Sequence, residues 1–431
     1  MSCAQAMDKD IAGDRDQSSG KPLRVCLLSY RSNPHCGGQG VYIKNLSRAL
    51  RDLGHSVDVL SGPPYMDFGS NIRVHEMGGL DLYDPNDPFR VPKIRELTDP
   101  INVVEWLGVS SMGFPEPMTF GMRAQRFIFR RKEMYDVIHD NQSLSWGVRN
   151  MGRWVPTVAT IHHPITVDRD VAISTTRNIL RKIQIMRWYS FIGMQKRVSR
   201  QISRVITVSD CSKGDISREF SIPIERIRVV ANGIDTTLFH PIPGVRRDPD
   251  TIMVTNSADT PLKGLYYLLK AVSEIRRKRP LRLVVIGTPK KDGSVARLVV
   301  ELGLTDIVHF TGRISDEDFV KQYAGVSLAV VPSLYEGFGF PAGEAMACAV
   351  PVISTTGGAL PEVVGDAGVL VPPADPNALE AAILDLLDNP EKAAGYGQAG
   401  YERVHRLFTW KNAAQETVRV YREAIDAHHP V

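Results

Sequence analysis

A chain of 431 residues is too long for a single hydrophobic core and calls for two or three domains. Its hydrophobic share of 43% and charged share of 23% are those of an ordinary globular protein, which excludes a disordered, collagen-like or disulfide-scaffold chain. The net charge of +4 hides an asymmetry: residues 1–240 carry 32 Lys/Arg against 25 Asp/Glu, the remainder 20 against 23, and residues 120–204 alone 16 against 5.

Residues 1–20 are polar and acidic, lack the apolar stretch of a signal peptide and read as a disordered tail. No run approaches the roughly eighteen apolar residues of a spanning helix, so a cytoplasmic protein is expected. The five cysteines (Cys3, Cys26, Cys36, Cys211, Cys348) are scattered without a CxxC pair, which argues against a zinc site or a disulfide framework. Cys26 and Cys348 lie in apolar segments and read as small core residues.

From residue 21 onward, short β-branched runs alternate with helix-like stretches. Leu23–Ser29, Ser56–Leu60, Thr157–Ile161 and Val205–Val208 read as buried strands of a parallel sheet. Between the first two, Tyr42, Leu46, Ala49 and Leu53 fall on one stripe of a helix over Val41–Leu53, stopped by Gly54. Residues 63–118, rich in Gly, Pro and Asp, have weak periodicity and read as loops. Pro241–Asp250 (PIPGVRRDPD) reads as a linker. The rhythm then resumes with strands at Thr251–Thr255, Leu281–Ile286, Ile307–Thr311, Leu328–Val331 and Val350–Ser354. The pattern predicts an α/β chain of two tandem Rossmann-like, doubly wound domains, 21–240 and 245–408, with a terminal helix in 409–431.

The densest chemical signal is Val330–Pro351, VVPSLYEGFGFPAGEAMACAVP. A strand runs into a glycine-bearing loop, and Pro341 suits the first turn of the following helix. Gly337 and Gly339 let the backbone approach a ligand closely, and the helix N-terminus supplies a partial positive field suited to phosphate. Glu336 and Glu344 place a carboxylate at each end, able to accept hydrogen bonds from sugar hydroxyls. This E-x7-E spacing with its EGFG-P core resembles the EX7E motif of the retaining GT4 glycosyltransferases. Further segments resemble the same family: Cys36–Tyr42 (CGGQGVY), Asn232–Asp235 (NGID), Lys263-Gly264, and GGALPEVV from Gly357.

The resemblance implies the GT-B fold, with two Rossmann-like domains facing a central cleft and the terminal helix crossing back to the first, acceptor-binding domain; the second domain would bind the donor. It implies metal-independent transfer of a hexosyl group from a UDP- or GDP-sugar to an acceptor hydroxyl, with retention. The nucleotide sugar is the substrate, and no cofactor is implied. Glu344 would hold the ribose hydroxyls and Glu336 the donor sugar. Phe338 and Gly339 would present backbone amides, and Gly37 and Gly38 would close on the diphosphate from the first domain. Lys263, in a turn before an apolar helix, could neutralise the departing diphosphate. His162, at the end of a strand, could bind a sugar hydroxyl or position the reacting centre, and is preferred over His163. The family's arginine before the lysine is absent here, where Ser257 and Ala258 stand. The Asp and His residues lack metal-ligand spacing. A sugar epimerase or phosphorylase of the same fold, and a non-enzymatic anion-binding protein, are the rival readings.

The basic zone has three readings. Lys196, Arg200 and Arg204 recur at helical spacing, with Trp188, Tyr189 and Phe191 interleaved, while Ile179, Ile183 and Met186 share a side. The stripe could dock on anionic lipid at the inner membrane face, attract an anionic acceptor such as a sugar phosphate, or be an ordinary solvated helix face. The sequence lacks a nucleic-acid-reading module, so no nucleic-acid partner is expected.

Overall fold

The computed structural model describes residues 20–32, 38–69, 71–82, 87, 90–255, 260–291 and 293–429. Cys3, Cys36, Gly37, Ser257 and Ala258 lie outside the described residues. The chain divides into two compact units. One runs to Ala231 and resumes at Ala413; the other spans Asn232–Asn412.

Among the described residues the first unit is built on seven strands: β1 (Arg24–Ser29), β2 (Ser56–Ser61), β3 (Arg73–Glu76), β4 (Val137–Asn141), β5 (Thr157–Thr160), β6 (Arg204–Thr207) and β7 (Ile227–Val229). Their order is β3-β2-β1-β4-β5-β6-β7, and every pairing is parallel. The second unit holds β8 (Asp248–Thr255), β9 (Arg282–Ile286), β10 (Val308–Phe310), β11 (Val326–Val331), β12 (Val352–Thr355) and β13 (Val369–Val371), in the order β10-β9-β8-β11-β12-β13, also parallel. Each sheet reverses its winding once, between β1 and β4 and between β8 and β11. At such a switch point the connecting helices diverge to opposite faces and leave a crevice at the carboxyl ends of the strands.

Helices close both faces of each sheet by burying one stripe. In Leu265–Ile275 the stripe is Leu265, Leu268, Leu269, Val272 and Ile275, packed with Ile252, Leu283 and Leu328 of the sheet. In Gly38–Asp52 it includes Tyr42, Leu46 and Ala49. Cys26 and Cys348 are both buried core residues.

Three details differ from the sequence expectation. The region 63–118 contains β3 and a helix, Pro100–Ser110, started by Asp99, whose side chain accepts from the Ile101 amide. That helix buries only Ile101 and Glu105, which is why its periodicity is faint. The handover between units falls before the Pro/Arg stretch, because Ile234 pairs with Thr409 and Phe239 packs edge-on against Phe319 and Tyr323. The Lys196–Arg200–Arg204 stripe does not run along one helix, because Arg204 begins β6, and its members have partners within the unit. Arg200 donates to the Phe220 carbonyl (2.7 Å), Arg204 pairs with Glu423 (2.8 Å), and Lys196 lies 3.8 Å from Glu219.

The helix Trp410–Asp426 carries the chain back. From Ala413 it belongs to the first unit, where Tyr421 and Ala424 are buried and Glu423 meets both Arg204 and Arg228.

Candidate active site

In the second unit, three loops leave the carboxyl ends of β8, β11 and β12 and converge on Glu336. Lys263, after β8, places Nζ 2.7 Å from Glu336 Oε1. Ser333 Oγ donates to the same oxygen, also at 2.7 Å. The glutamate backbone is held as well, since its carbonyl accepts from the Ala359 amide at 2.9 Å. Two glycines make this convergence possible. Gly264 has φ +69°, and a Cβ there would lie 1.9 Å from the Pro332 carbonyl oxygen; Gly358 has φ +65°, and its Cβ would lie 2.2 Å from the Glu336 carbonyl oxygen. Only residues without a side chain allow these backbones to touch.

The loop ends at Gly339, which caps the helix Phe340–Ala347 at φ 105°, with Pro341 in the first turn. No acidic side chain occupies that turn, so nothing neutralises the positive end of the helix, although the Ala342 and Gly343 amides already donate to the Gly339 carbonyl. Phe338 points into the core, edge-on to Phe340 and Phe408, and so can contribute only its backbone to a site. Glu344 stands one turn into the helix, half-buried. Loss of hydration, aided by repulsion from Asp316 and partly offset by Lys263, pushes its carboxyl up to about 8.

In the first unit, the switch point between β1 and β4 is bordered by the start of the helix Gly38–Asp52, Asn141 at the end of β4 with Gln142 after it, and His162 after β5. Asn141 donates its amide nitrogen to the Gln39 carbonyl (3.2 Å), which turns Oδ1 toward His162 Nε2 at 2.8 Å. The His162 amide donates to Gln142 Oε1 (2.9 Å), and its ring meets Tyr42 edge-on at 4.7 Å. Burial, reinforced by the neighbouring His163 and His139, lowers its imidazole to about 3. The ring is therefore neutral, protonated on Nε2, and carries its lone pair on Nδ1. His163 turns away to Asp168 (2.8 Å).

Lys263, Glu336, Phe338, Gly339 and Glu344 thus assemble around one loop, while Gly38 and His162 border one crevice of the other sheet. Ser333, Asn141 and Gln142 escaped the sequence reading. Ser333 offered only the signal of a polar residue just after an apolar strand, whereas Asn141 ends the partly polar strand β4 and Gln142 follows it with φ 60°, in the left-handed region. Among the described residues no group of three or more His, Cys, Asp or Glu could hold a metal ion.

Two parallel sheets with this winding, and this loop at the second switch point, define a glycosyltransferase of the GT-B fold. The sequence model of the family described as "Glycosyltransferase Family 4" matches residues 36–238, and that described as "Glycosyl transferases group 1" matches residues 248–389. The chain is 44% identical over 408 residues to the MMP alpha-(1->4)-mannosyltransferase of Mycolicibacterium hassiacum, covering 94% of this chain and 98% of the relative. It is 28% identical to D-inositol 3-phosphate glycosyltransferase 2 of Catenulispora acidiphila, covering 94% and 96%. Among solved structures it resembles sucrose-phosphate synthase from Thermosynechococcus elongatus, with a TM-score of 0.72, 25% identity, and coverage of 94% and 100%. It also resembles Anabaena HepE in complex with UDP-glucose, with a TM-score of 0.64, 17% identity, and coverage of 93% and 100%. The chain belongs to glycosyltransferase family 4.

Proposed function

We propose that this glycosyltransferase moves a hexosyl group from a UDP- or GDP-sugar to an acceptor hydroxyl, with retention of anomeric configuration and without a divalent ion. The observation that carries the reading is the grip of Lys263 and Ser333 on Glu336, beside the N-terminus of Phe340–Ala347. Glu344 would accept from the ribose hydroxyls, and Glu336 from hydroxyls of the donor sugar. The Phe338 and Gly339 amides and the Lys263 ammonium would take the charge that develops on the departing diphosphate, work that a metal ion does elsewhere. In the first unit, His162 would accept a sugar hydroxyl through Nδ1. A neutral imidazole suits this role, because it orients the hydroxyl without adding charge.

The mannosyltransferase relative, at 44% identity, supports mannose as the transferred sugar and an α linkage in the product. An α product from an α-linked donor is what retention yields. The test is a thermal-shift series with UDP-, GDP- and ADP-linked hexoses, followed by NMR of the product anomer with and without EDTA. Stabilisation by a UDP- or GDP-sugar and an unchanged anomer in EDTA are expected. An inverted product or a rate abolished by EDTA would overturn the mechanism.

A further inference from the structure

We propose that the helix Ile179–Trp188, with the adjoining end of the helix Pro100–Ser110, is a docking surface for an anionic lipid bilayer. Ile179–Trp188 buries no residue at all. Its Ile179, Leu180, Ile183 and Met186 side chains are between 52% and 74% exposed, as are Leu107 and Met112 at the neighbouring helix end. The two elements are joined: Arg187 donates to Ser111 Oγ (2.6 Å), and Trp188 stacks on Phe114 with ring centroids 5.0 Å apart. A ten-residue helix is marginal in water on its own, and this one touches the core only through Trp188 on Phe114. It instead holds long apolar side chains out into solvent. Such a contiguous patch marks a contact surface.

Charge selects the occupant. No Asp or Glu occurs between Asp170 and Asp210, while that stretch carries eight Lys/Arg, and residues 106–115 carry no charge at all. Arg187 is held by hydroxyls of Ser111 and Ser190. Arg177, Arg181 and Lys182 have no carboxylate partner among the described residues. The nearest preceding carboxylates are already engaged, Asp168 by His163 and Asp170 by Arg169. A second copy of this chain, meeting the patch across a two-fold axis, would set these cations against their own images with no acid between them. An anionic leaflet satisfies both halves of the patch. Apolar side chains enter the acyl boundary, guanidinium and ammonium groups stay with the headgroups, and Trp188 suits the interface between them.

The test is flotation of the full chain with vesicles of phosphatidylcholine alone or mixed with phosphatidylglycerol, at low and high salt. Flotation with the anionic vesicles only, weakened by salt, is expected. The Ile183→Gln/Met186→Gln double variant should lower the bound fraction about tenfold, and Arg181→Gln about fivefold. Because these side chains are exposed, melting temperature and nucleotide-induced stabilisation should match the parent. Absence of flotation, or flotation undiminished in the double variant, would overturn the proposal. So would a dimer in sedimentation velocity that the double variant dissociates, since it would assign the face to a second copy.

Discussion

Lys263 Nζ lies 2.7 Å from Glu336 Oε1, so the cation and the first carboxylate of the E-x7-E segment are each other's partner. The lysine is 32% exposed and the glutamate 11%, which leaves the ammonium within reach of a phosphate while Glu336 stays anchored. Lys263→Ala should therefore remove a charge-assisted contact of about 1.5–3 kcal/mol from donor binding. Titration calorimetry should show nucleotide affinity weakened roughly tenfold to a hundredfold. Ser333 still holds Glu336 in the variant, so melting should change little. Unaltered affinity would remove the lysine from the site.

Glu344 gives a pH signature. Its carboxyl lies near 8 in the folded chain against an ordinary 4.5, so between those values the folded state holds a proton that the unfolded chain has released. Stability is thus full below about 4.5 and declines as pH rises to about 8, then levels. Glu344→Gln should flatten this slope, with the variant's Tm gaining on the parent as pH rises, about 2–4 °C per kcal/mol recovered. Nucleotide affinity should behave oppositely. If ribose hydroxyls bind the carboxylate, parent affinity rises toward pH 9, and the glutamine variant shows no such rise.

His162 reverses the sign. With its imidazole lowered to about 3 from 6.5, the unfolded chain binds the proton first. Its contribution is complete above about 6.5 and is lost as pH falls toward 3. Nitrogen NMR should find the ring neutral, with the proton on Nε2, throughout pH 5–8. His162→Ala should lower kcat about tenfold to a hundredfold, the cost of one buried hydrogen bond. The pH–rate profile should lack a histidine inflection near 6.5; such an inflection would contradict the neutral ring.

What could be read from the sequence follows from where each residue's partners lie. Glu336, Glu344 and Lys263 could be named as candidates because local spacing and the family resemblance place them on one loop and one turn, and His162 because it closely follows an apolar strand. The Lys263–Glu336 pairing was not, since the partners are 73 residues apart and meet only when β8 lies beside β11. β4 was missed because a central strand is expected to be apolar, whereas His139, Asp140 and Asn141 are buried there. Asp140 is satisfied locally by Ser143 and the Leu144 amide, but His139 relies on Tyr421, 282 residues away. The internal partners of the Lys196–Arg200–Arg204 stripe were hidden for the same reason: its acceptors, Phe220 and Glu423, belong to other elements.

Two glycines of the second unit separate backbone strain from crowding. Gly244 has φ +80° with nothing within 4 Å of an added Cβ, whereas Gly358 has φ +65° and meets the Glu336 carbonyl oxygen at 2.2 Å. Gly244→Ala should cost only the left-handed penalty, about 1–2 kcal/mol. Gly358→Ala must also push the Glu336 backbone away. It should lower Tm further and abolish nucleotide-induced stabilisation, a loss that Gly244→Ala should not show. Equal behaviour of the two variants would mean that the glycine loop does not position Glu336.

The return helix makes two kinds of contact with the first sheet, and burial decides which matters more. Glu423 pairs with Arg204 and Arg228, but at 37% exposure the pairs are screened by water and worth at most about 1 kcal/mol each. Tyr421 is fully buried. Burial raises its phenol and lowers the His139 imidazole to about 3, so the tyrosine stays protonated and donates to Nδ1 at 2.6 Å. His139 Nε2–H then donates to Thr160 Oγ1 (2.7 Å), which also meets the Tyr42 hydroxyl (2.9 Å). Tyr421→Phe keeps the ring but strands a buried lone pair, at a cost of about 1–3 kcal/mol. Chemical denaturation should therefore find Tyr421→Phe more destabilising than Glu423→Gln, although the latter weakens two ion pairs. The reverse order would place the anchor of the helix at its charged edge.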